Sequence, residues 1–393
     1  MITATLPVYK RMPIAFEKGE GAYLYATDGR RYLDFASGIA VTMLGHAHPH
    51  LVSELKKQAE KLWHVSNIFE IPEQTRLAER LVAHSFADTV FFSNSGAEAI
   101  ECGLKMVRKY HRTNGHPERY RVICTHGAFH GRTLATITAG GQKKHTEGFE
   151  PLIDGFDHVS FNNTNELRAA VTEKTAAILV EPVHGEGGIK PADKTFLEAC
   201  RKVADEYGLL LFFDEVQTGA GRTGNLFAYE SYGVKPDVMA VAKGFGGGFP
   251  VGACLATERA ASGMTAGAHG STFGGNPLAM AVGNAVLDVL LSDGFLAKVK
   301  RMAAHTRSAL DGVVKRHPDL FEEVRGLGLM LGLKCKVPSD AFGAHLAKNG
   351  LLTVGAGENV IRLAPPLVID ERHVEEAVRI IERTALEWSQ MKH

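Results

Sequence analysis

Apolar positions along the chain follow two periods in turn. "PHLVSELKKQAEKLW" (49–63) places Leu51, Leu55, Ala59 and Leu62 on one face of a helix, and "IPEQTRLAERLVAH" (71–84) reads as a second helix. Before them, "GAYLYATDGRRYLDFASGIAV" predicts two short strands around a turn at Asp28-Gly29. From residue 89 onward, short apolar runs alternate with helical stretches. The runs are "TVFFS" (89–93), "YRVICT" (120–125), "AAILVEP" (176–182), "LLLFF" (209–213), "DVMAVA" (237–242) and "GACLAT" (252–257), with helices notably at 96–112 and 193–207. Apolar runs of this length, bounded by turn residues and separated by helices, predict strands covered on both faces of a mostly parallel sheet. Past about 276 the texture changes to long helices (276–292, 294–316) and short strands (323–334, 351–354, 360–364). A last helix is capped by Asp370, with Val374, Ala377, Ile380 and Ile381 on one face. The expected architecture is a large α/β domain at 47–276 and a smaller α+β domain made from 1–46 and 277–393.

Composition narrows the class. At 393 residues and 45% hydrophobic, the chain is long enough for two domains with a sizeable core. Lysine plus arginine and aspartate plus glutamate number 44 each, with no basic run, so neither a nucleic-acid scaffold nor a membrane-surface protein is expected. The five cysteines (102, 124, 200, 254, 335) form no C-x-x-C pair and suit buried thiols in a reducing compartment. The N-terminus lacks an apolar signal core, and no apolar run approaches the length of a membrane span. A cytoplasmic location is expected.

Ligands of open α/β sheets sit past the carboxyl ends of the strands, and four of these runs end in reactive residues. Lys243 follows "MAVA" and opens the glycine-rich "GFGGGFPVG". An amine buried there is either a nucleophile that forms Schiff bases or a lysine reaching out to solvent from a strand end. Asp214 ends "LLLFF", as a metal ligand, a general base, the partner of a protonated ring nitrogen or a turn cap. Glu181 ends "AAILV", with Glu186 close behind. After "TVFF", Ser95 caps a helix with Glu98 three residues on, and Gly96 and Ala97 leave the first-turn N–H groups open to a phosphate. In "FHGRT", Phe129 can stack on a flat ring and Arg132 can hold a carboxylate, or both belong to core and surface.

Two patterns are set aside. Gly219-x-Gly221-x-x-Gly224 fits the dinucleotide spacing, but "DEVQT" separates it from the strand and no amphipathic helix follows, so the glycines are expected to let a loop pack tightly. His46, His48 and His50 in "GHAHPH" have no nearby cysteine or acid to complete a metal site, so no metal is expected.

Taken jointly, "FFSNSGAEA", "FHGRT", "EPVHGEGG", "DEVQTGAGRTG", "AKGFGGGFPVGA" and "GSTFGGNPLA" resemble the class III (ornithine-type) aminotransferases, which are fold type I enzymes of pyridoxal 5'-phosphate. The likeness runs from "LDFASGIAVTMLGHAHP" to "IRLAPPLVI". It implies that Lys243 bonds the cofactor's aldehyde and moves the proton in the reaction. It also implies that Asp214 holds the pyridine nitrogen, Gln217 the phenolic oxygen, Phe129 the ring face, and Ser95, Gly96 and Ala97 the phosphate. Glu215 and Val216, in the same run, join the cofactor contacts. Thr272 would reach the cofactor of a second copy, which makes a homodimer part of the site. Arg132 and Ser271 would meet the substrate, and Glu186 with Arg362 would form a switch between amine donor and dicarboxylate. Relatives that use free ornithine commonly carry a tyrosine where this chain has Ile39. An N-acylated donor is therefore expected: N-acetyl-L-ornithine, with 2-oxoglutarate as acceptor and glutamate as product. Succinylornithine, N-succinyl-diaminopimelate, 4-aminobutyrate and ornithine are the alternatives.

Overall fold

The computed structural model describes residues 4–391. Its centre is a seven-stranded sheet. The spatial order is Thr89–Ser93, Gly252–Ala256, Val238–Val241, Leu210–Asp214, Thr175–Val180, Arg121–Thr125, Phe156–Val159. Every neighbouring pair from Val238–Val241 outward to Phe156–Val159 is parallel, and Gly252–Ala256 runs antiparallel to both of its neighbours. All six apolar runs read from the sequence as strands lie in this sheet.

Strand Leu210–Asp214 explains why these runs lack alternation. Leu211 and Phe213 belong to one apolar cluster and Leu210 and Phe212 to another. Successive side chains point to opposite faces, and both faces are covered. Helix Gly96–Thr113 closes the Leu210/Phe212 side through Ala99, Ile100, Cys102 and Val107. Helix Lys194–Tyr207 closes the other through Phe196, Leu197, Cys200 and Val203.

Sheet strands with polar residues escaped the pattern. Phe156–Val159 lies at the sheet edge, paired on one side only, and carries Asp157 and His158. Phe16–Glu20, with Lys18 and Glu20, is likewise an edge strand. Edge strands tolerate charge, and that charge hides the apolar run. The segment 323–334 is a hairpin, Phe321–Leu327 with Met330–Cys335, rather than one strand. Helix Ser339–Lys348 has no counterpart in the sequence reading.

Two four-stranded sheets and one two-stranded hairpin accompany the large sheet. Tyr23–Ala26 and Arg31–Asp34 pair across the expected turn, and Leu351–Leu352 joins them, parallel to Arg31–Asp34. The other four-stranded sheet runs in the order Phe321–Leu327, Met330–Cys335, Val360–Leu363, Val354–Ala356. Helices Phe295–Arg316 and Ser339–Lys348 pack on it, and helix Glu371–Gln390 packs on those two helices and on Leu351–Leu352. Asp370 caps the last helix, its carboxylate accepting from Arg372 N–H at 3.1 Å. We propose that the chain divides into a large unit, 47–276, and a small unit, 1–46 with 277–393, of which residues 1–3 and 392–393 lie outside the described range. Helix Pro277–Leu290, the first of the second segment, packs on helices Pro49–Ala59 and Pro72–Ala83.

Candidate active site

The parallel strands deliver their carboxyl ends to one edge of the large sheet, and a cavity of about 130 Å³ opens there. Its walls are Gly96, Ala97, Phe129, His130, Gly131, Glu181, Asp214, Val216, Gln217 and Lys243. Five separate stretches of chain thus meet at one place.

Asp214 is buried at the end of its strand. Its Oδ2 accepts from His130 Nδ1–H at 2.7 Å and its Oδ1 from Val216 N–H at 3.0 Å. His130 is also buried, and its Nε2 has no hydrogen-bond partner among the described residues. Glu181, at the end of the neighbouring strand, accepts from Phe129 N–H at 3.0 Å and Gly185 N–H at 3.4 Å. Burial, and then the charge of Asp214, push the Glu181 carboxyl well above its ordinary value.

Lys243 follows Val238–Val241 in a left-handed conformation (φ +48°), which few non-glycine residues adopt. Among the described residues its amine makes no hydrogen bond or ion pair. Burial lowers its pKa and Arg362 lowers it further, against the opposing pull of Glu186, Asp214 and Glu181.

The first turn of helix Gly96–Thr113 forms another wall. Ser95 accepts from Glu98 N–H at 3.2 Å, and Glu98 reaches back to Asn94 N–H at 2.6 Å. The N–H groups of Gly96 and Ala97 have no partner among the described residues. A Cβ on Gly96 would lie 2.7 Å from Val216, so only glycine leaves this cradle open.

Arg362, in strand Val360–Leu363, is 1% exposed. Its Nη1 donates to Glu186 at 2.8 Å and to Gln217 Oε1 at 2.9 Å, which ties the ion pair to the cavity wall. Burial on its own would raise the Glu186 carboxyl; the Arg362 guanidinium overrides this and holds it below its ordinary value.

Several expected residues lie elsewhere. Glu215 turns away beneath the cavity, where it accepts from Ala228 N–H at 2.5 Å and Tyr229 N–H at 2.8 Å. Asp214 and Glu215 are consecutive at a strand end, so their side chains leave on opposite sides. Ser95 acts as the cap and does not line the cavity. Arg132 is exposed, its guanidinium 5.6 Å from the Phe129 ring centre. Ser271 lines a separate cavity with His269 and Asn67, and Thr272 is exposed. The sequence marked Glu181 as a strand-end acid without giving it a role, and it passed over His130, although His130 sits inside "FHGRT".

Ile39 belongs to a run of four left-handed residues, Ser37, Gly38, Ile39 and Ala40. Asp34 clamps this run, its Oδ1 accepting from Ala36 and Ser37 N–H, both at 2.9 Å, and its Oδ2 bonding His46 at 2.8 Å. The run packs against the turn that begins at Lys243. His46 therefore has a structural partner. The Gly219–Gly224 loop is a packing loop as expected, since a Cβ on Gly221 would lie 3.0 Å from Leu367.

A family model described as "Aminotransferase class-III" matches residues 6–385. The chain belongs to this family. It is 58% identical to an acetylornithine aminotransferase of Agrobacterium fabrum, over 98% of this chain and 97% of the relative. It is 57% identical to one of Rhodobacter capsulatus, over 98% of both. Among solved structures, N-acetylornithine aminotransferase from Stenotrophomonas maltophilia matches with a TM-score of 0.86 at 38% identity, covering 98% of each chain. The ornithine aminotransferase of Toxoplasma gondii matches with a TM-score of 0.94 at 29% identity, covering 99% of this chain and 94% of the other. The fold is therefore that of the fold type I enzymes, and the chain is a pyridoxal-phosphate-dependent aminotransferase. The cavity fits that cofactor: open N–H groups at a helix start suit its phosphate, and a buried carboxylate facing an unpaired amine suits its ring nitrogen and aldehyde.

Proposed function

We propose that this chain transfers the terminal amino group of N-acetyl-L-ornithine to 2-oxoglutarate, giving N-acetyl-L-glutamate 5-semialdehyde and L-glutamate, a step of arginine biosynthesis. The observation that carries it is the unpaired Lys243 amine in one cavity with Asp214, next to a carboxylate–guanidinium pair. Full-length relatives of 57% and 58% identity with this named activity support the choice of donor.

Bound in the cavity, pyridoxal 5'-phosphate supplies the electron sink that makes the carbon bearing the transferred amine acidic. Gly96 and Ala97 offer N–H groups to its phosphate, with Ser95 fixing that helix start. Phe129 and Val216 hold the ring, Gln217 its phenolic oxygen and Asp214 its nitrogen. His130 keeps Asp214 oriented. Lys243 Nζ, less basic than an exposed lysine, takes the proton from the amine-bearing carbon. Arg132 binds the donor's α-carboxylate and Ser271 lies beside the substrate. With Glu186 paired, Arg362 is neutralised and the ω-amine end enters. With Glu186 aside, Arg362 takes a carboxylate of glutamate or 2-oxoglutarate. Ile39 presents an apolar wall without a hydrogen-bond donor, which suits an acylated rather than a charged α-nitrogen.

Thr272 serves the cofactor of a second copy. Exposed Trp63, Ile68, Phe69 and Phe273 support an apolar homodimer interface beside it. A cytoplasmic location, with small-molecule partners and neither nucleic acid nor membrane, completes the reading.

The test is the visible absorbance of the purified protein with cofactor, followed as N-acetyl-L-ornithine is added without keto acid. The yellow band is expected to collapse and to return with 2-oxoglutarate. A band indifferent to N-acetyl-L-ornithine removes this donor. A protein that stays colourless with added cofactor removes the role of Lys243.

A further inference from the structure

The Glu186–Arg362 pair is the gate of the proposed transamination, and the role inferred for its surroundings rests on that function. Glu186 sits in a hairpin whose arms, Val183–His184 and Lys190–Pro191, pair antiparallel. This hairpin is docked on the C-terminal sheet. Its buried Val183 and Ile189 form a separate apolar cluster with Met330 and Val360, from two adjacent strands of that sheet. Gly357 N–H donates to the Glu186 backbone oxygen at 2.8 Å, and a Cβ on Gly357 would lie 2.9 Å from that oxygen. The gate loop's backbone is thereby fixed to the strand hairpin that carries Arg362, and what is left to move is the Glu186 side chain.

One charged residue closes this contact. Glu358 and Asn359 form the turn between Val354–Ala356 and Val360–Leu363, at φ +57° and +61°. Asparagine suits such a turn, and Asn359 secures itself on the backbone of Cys335, Val337 and Ser339. Glutamate does not suit it. The Glu358 carboxylate instead pairs with Lys190, on the returning arm of the gate hairpin, and with Arg325 Nη1 at 2.7 Å. Arg325 is further held by Glu323 at 2.7 Å.

We propose that Glu358 is a positioning residue: its ion pairs with Lys190 and Arg325 hold the Glu186 loop against the Arg362 strand, so that Glu186 returns to Arg362 and the site favours the amine donor over the dicarboxylate. The Lys190 and Glu358 side chains are 39% and 42% exposed, so solvent screens the pair and the effect is a few-fold one.

The test uses the full-length holoenzyme and its two half-reactions, followed separately by stopped-flow absorbance. In Glu358→Gln the apparent dissociation constant for N-acetyl-L-ornithine is expected to rise about threefold, while that for 2-oxoglutarate stays or falls and both limiting rates are unchanged. High salt should weaken N-acetyl-L-ornithine binding in the parent and much less in the variant, and Lys190→Gln should reproduce the selectivity change. Glu358→Gly, which also relieves the left-handed strain, should show the same selectivity with equal or higher thermal stability. Constants that move together, constants that do not move, or a fall in limiting rate would overturn the proposal. If the parent itself ignores N-acetyl-L-ornithine, the donor reading fails. Glu358 is then judged on the 2-oxoglutarate arm, where weaker binding in Glu358→Gln overturns it.

Discussion

The floor of the cavity and its gate use the same residue types and satisfy them differently. At the floor, Asp214 accepts from His130 and a backbone N–H, Glu181 from two backbone N–H groups, and Glu215 beneath them from two more. None of these donors can be supplied by a substrate. At the gate, Arg362 is equally buried, yet its one ion-pair partner among the described residues is Glu186, whose side chain is 23% exposed. In the proposed function a carboxylate from outside replaces it. The floor is thus a fixed electrostatic environment, preorganised before anything binds, and the gate is an exchangeable one. A second buried guanidinium sharpens the contrast. Arg222 donates to the carbonyls of Leu329 and Pro365, pairs with no carboxylate among the described residues, and burial pushes its pKa down to about 9. It ties the Gly219–Gly224 loop to the C-terminal part and offers nothing to exchange.

Breaking the floor should cost most. Lys243→Ala is expected to lower turnover on the order of a thousandfold with both substrates, because the base is gone; single-turnover absorbance measures it. Asp214→Ala should lose roughly a hundredfold in both half-reactions alike, read as limiting rates at saturating cofactor. The gate should respond selectively instead. Glu186→Ala leaves Arg362 uncovered, and the preference for N-acetyl-L-ornithine over glutamate, as a ratio of kcat/KM, should fall about tenfold. Equal losses for both donors would erase the distinction between floor and gate.

The smallest effect lies where the two regions join. His184 stacks on Phe161 with ring centres 3.7 Å apart and bonds Thr125 at 2.9 Å, and burial pushes its pKa down to about 3. The unfolded chain takes up a proton near pH 6.5 that the folded one refuses, so stability present above pH 6.5 is lost as pH falls toward 3. His184→Gln should flatten this acid slope by about 1–2 kcal/mol, with turnover at pH 8 nearly unchanged; denaturant titrations at several pH values would measure it.

The floor was the more legible of the two in the sequence. Asp214, Glu181 and Lys243 each end an apolar run, and strands buried on both faces announce where they stop. His130 gave no such signal, because its meaning lies in a contact with Asp214, 84 residues away. Glu215 is next to Asp214 in the sequence, yet the two-residue period of a strand sends its side chain to the opposite side, toward Ala228 and Tyr229 N–H. The gate was legible only through family resemblance, since Glu186 and Arg362 stand 176 positions apart in loops and strands of no distinctive pattern. Phe156–Val159 and Ser339–Lys348 were missed because polar residues interrupt the apolar periods of both.

The left-handed run at Ser37–Ala40 bears on how this enzyme's donor range could be redesigned. Position 39 is not a free choice of side chain. Any replacement inherits a backbone that only glycine, asparagine and aspartate adopt readily, held in place by Asp34 and His46. The exchangeable unit is the whole segment 34–46. A graft of that length carries its own clamp, whereas a point change at Ile39 asks a new residue to fit a scaffold selected with another.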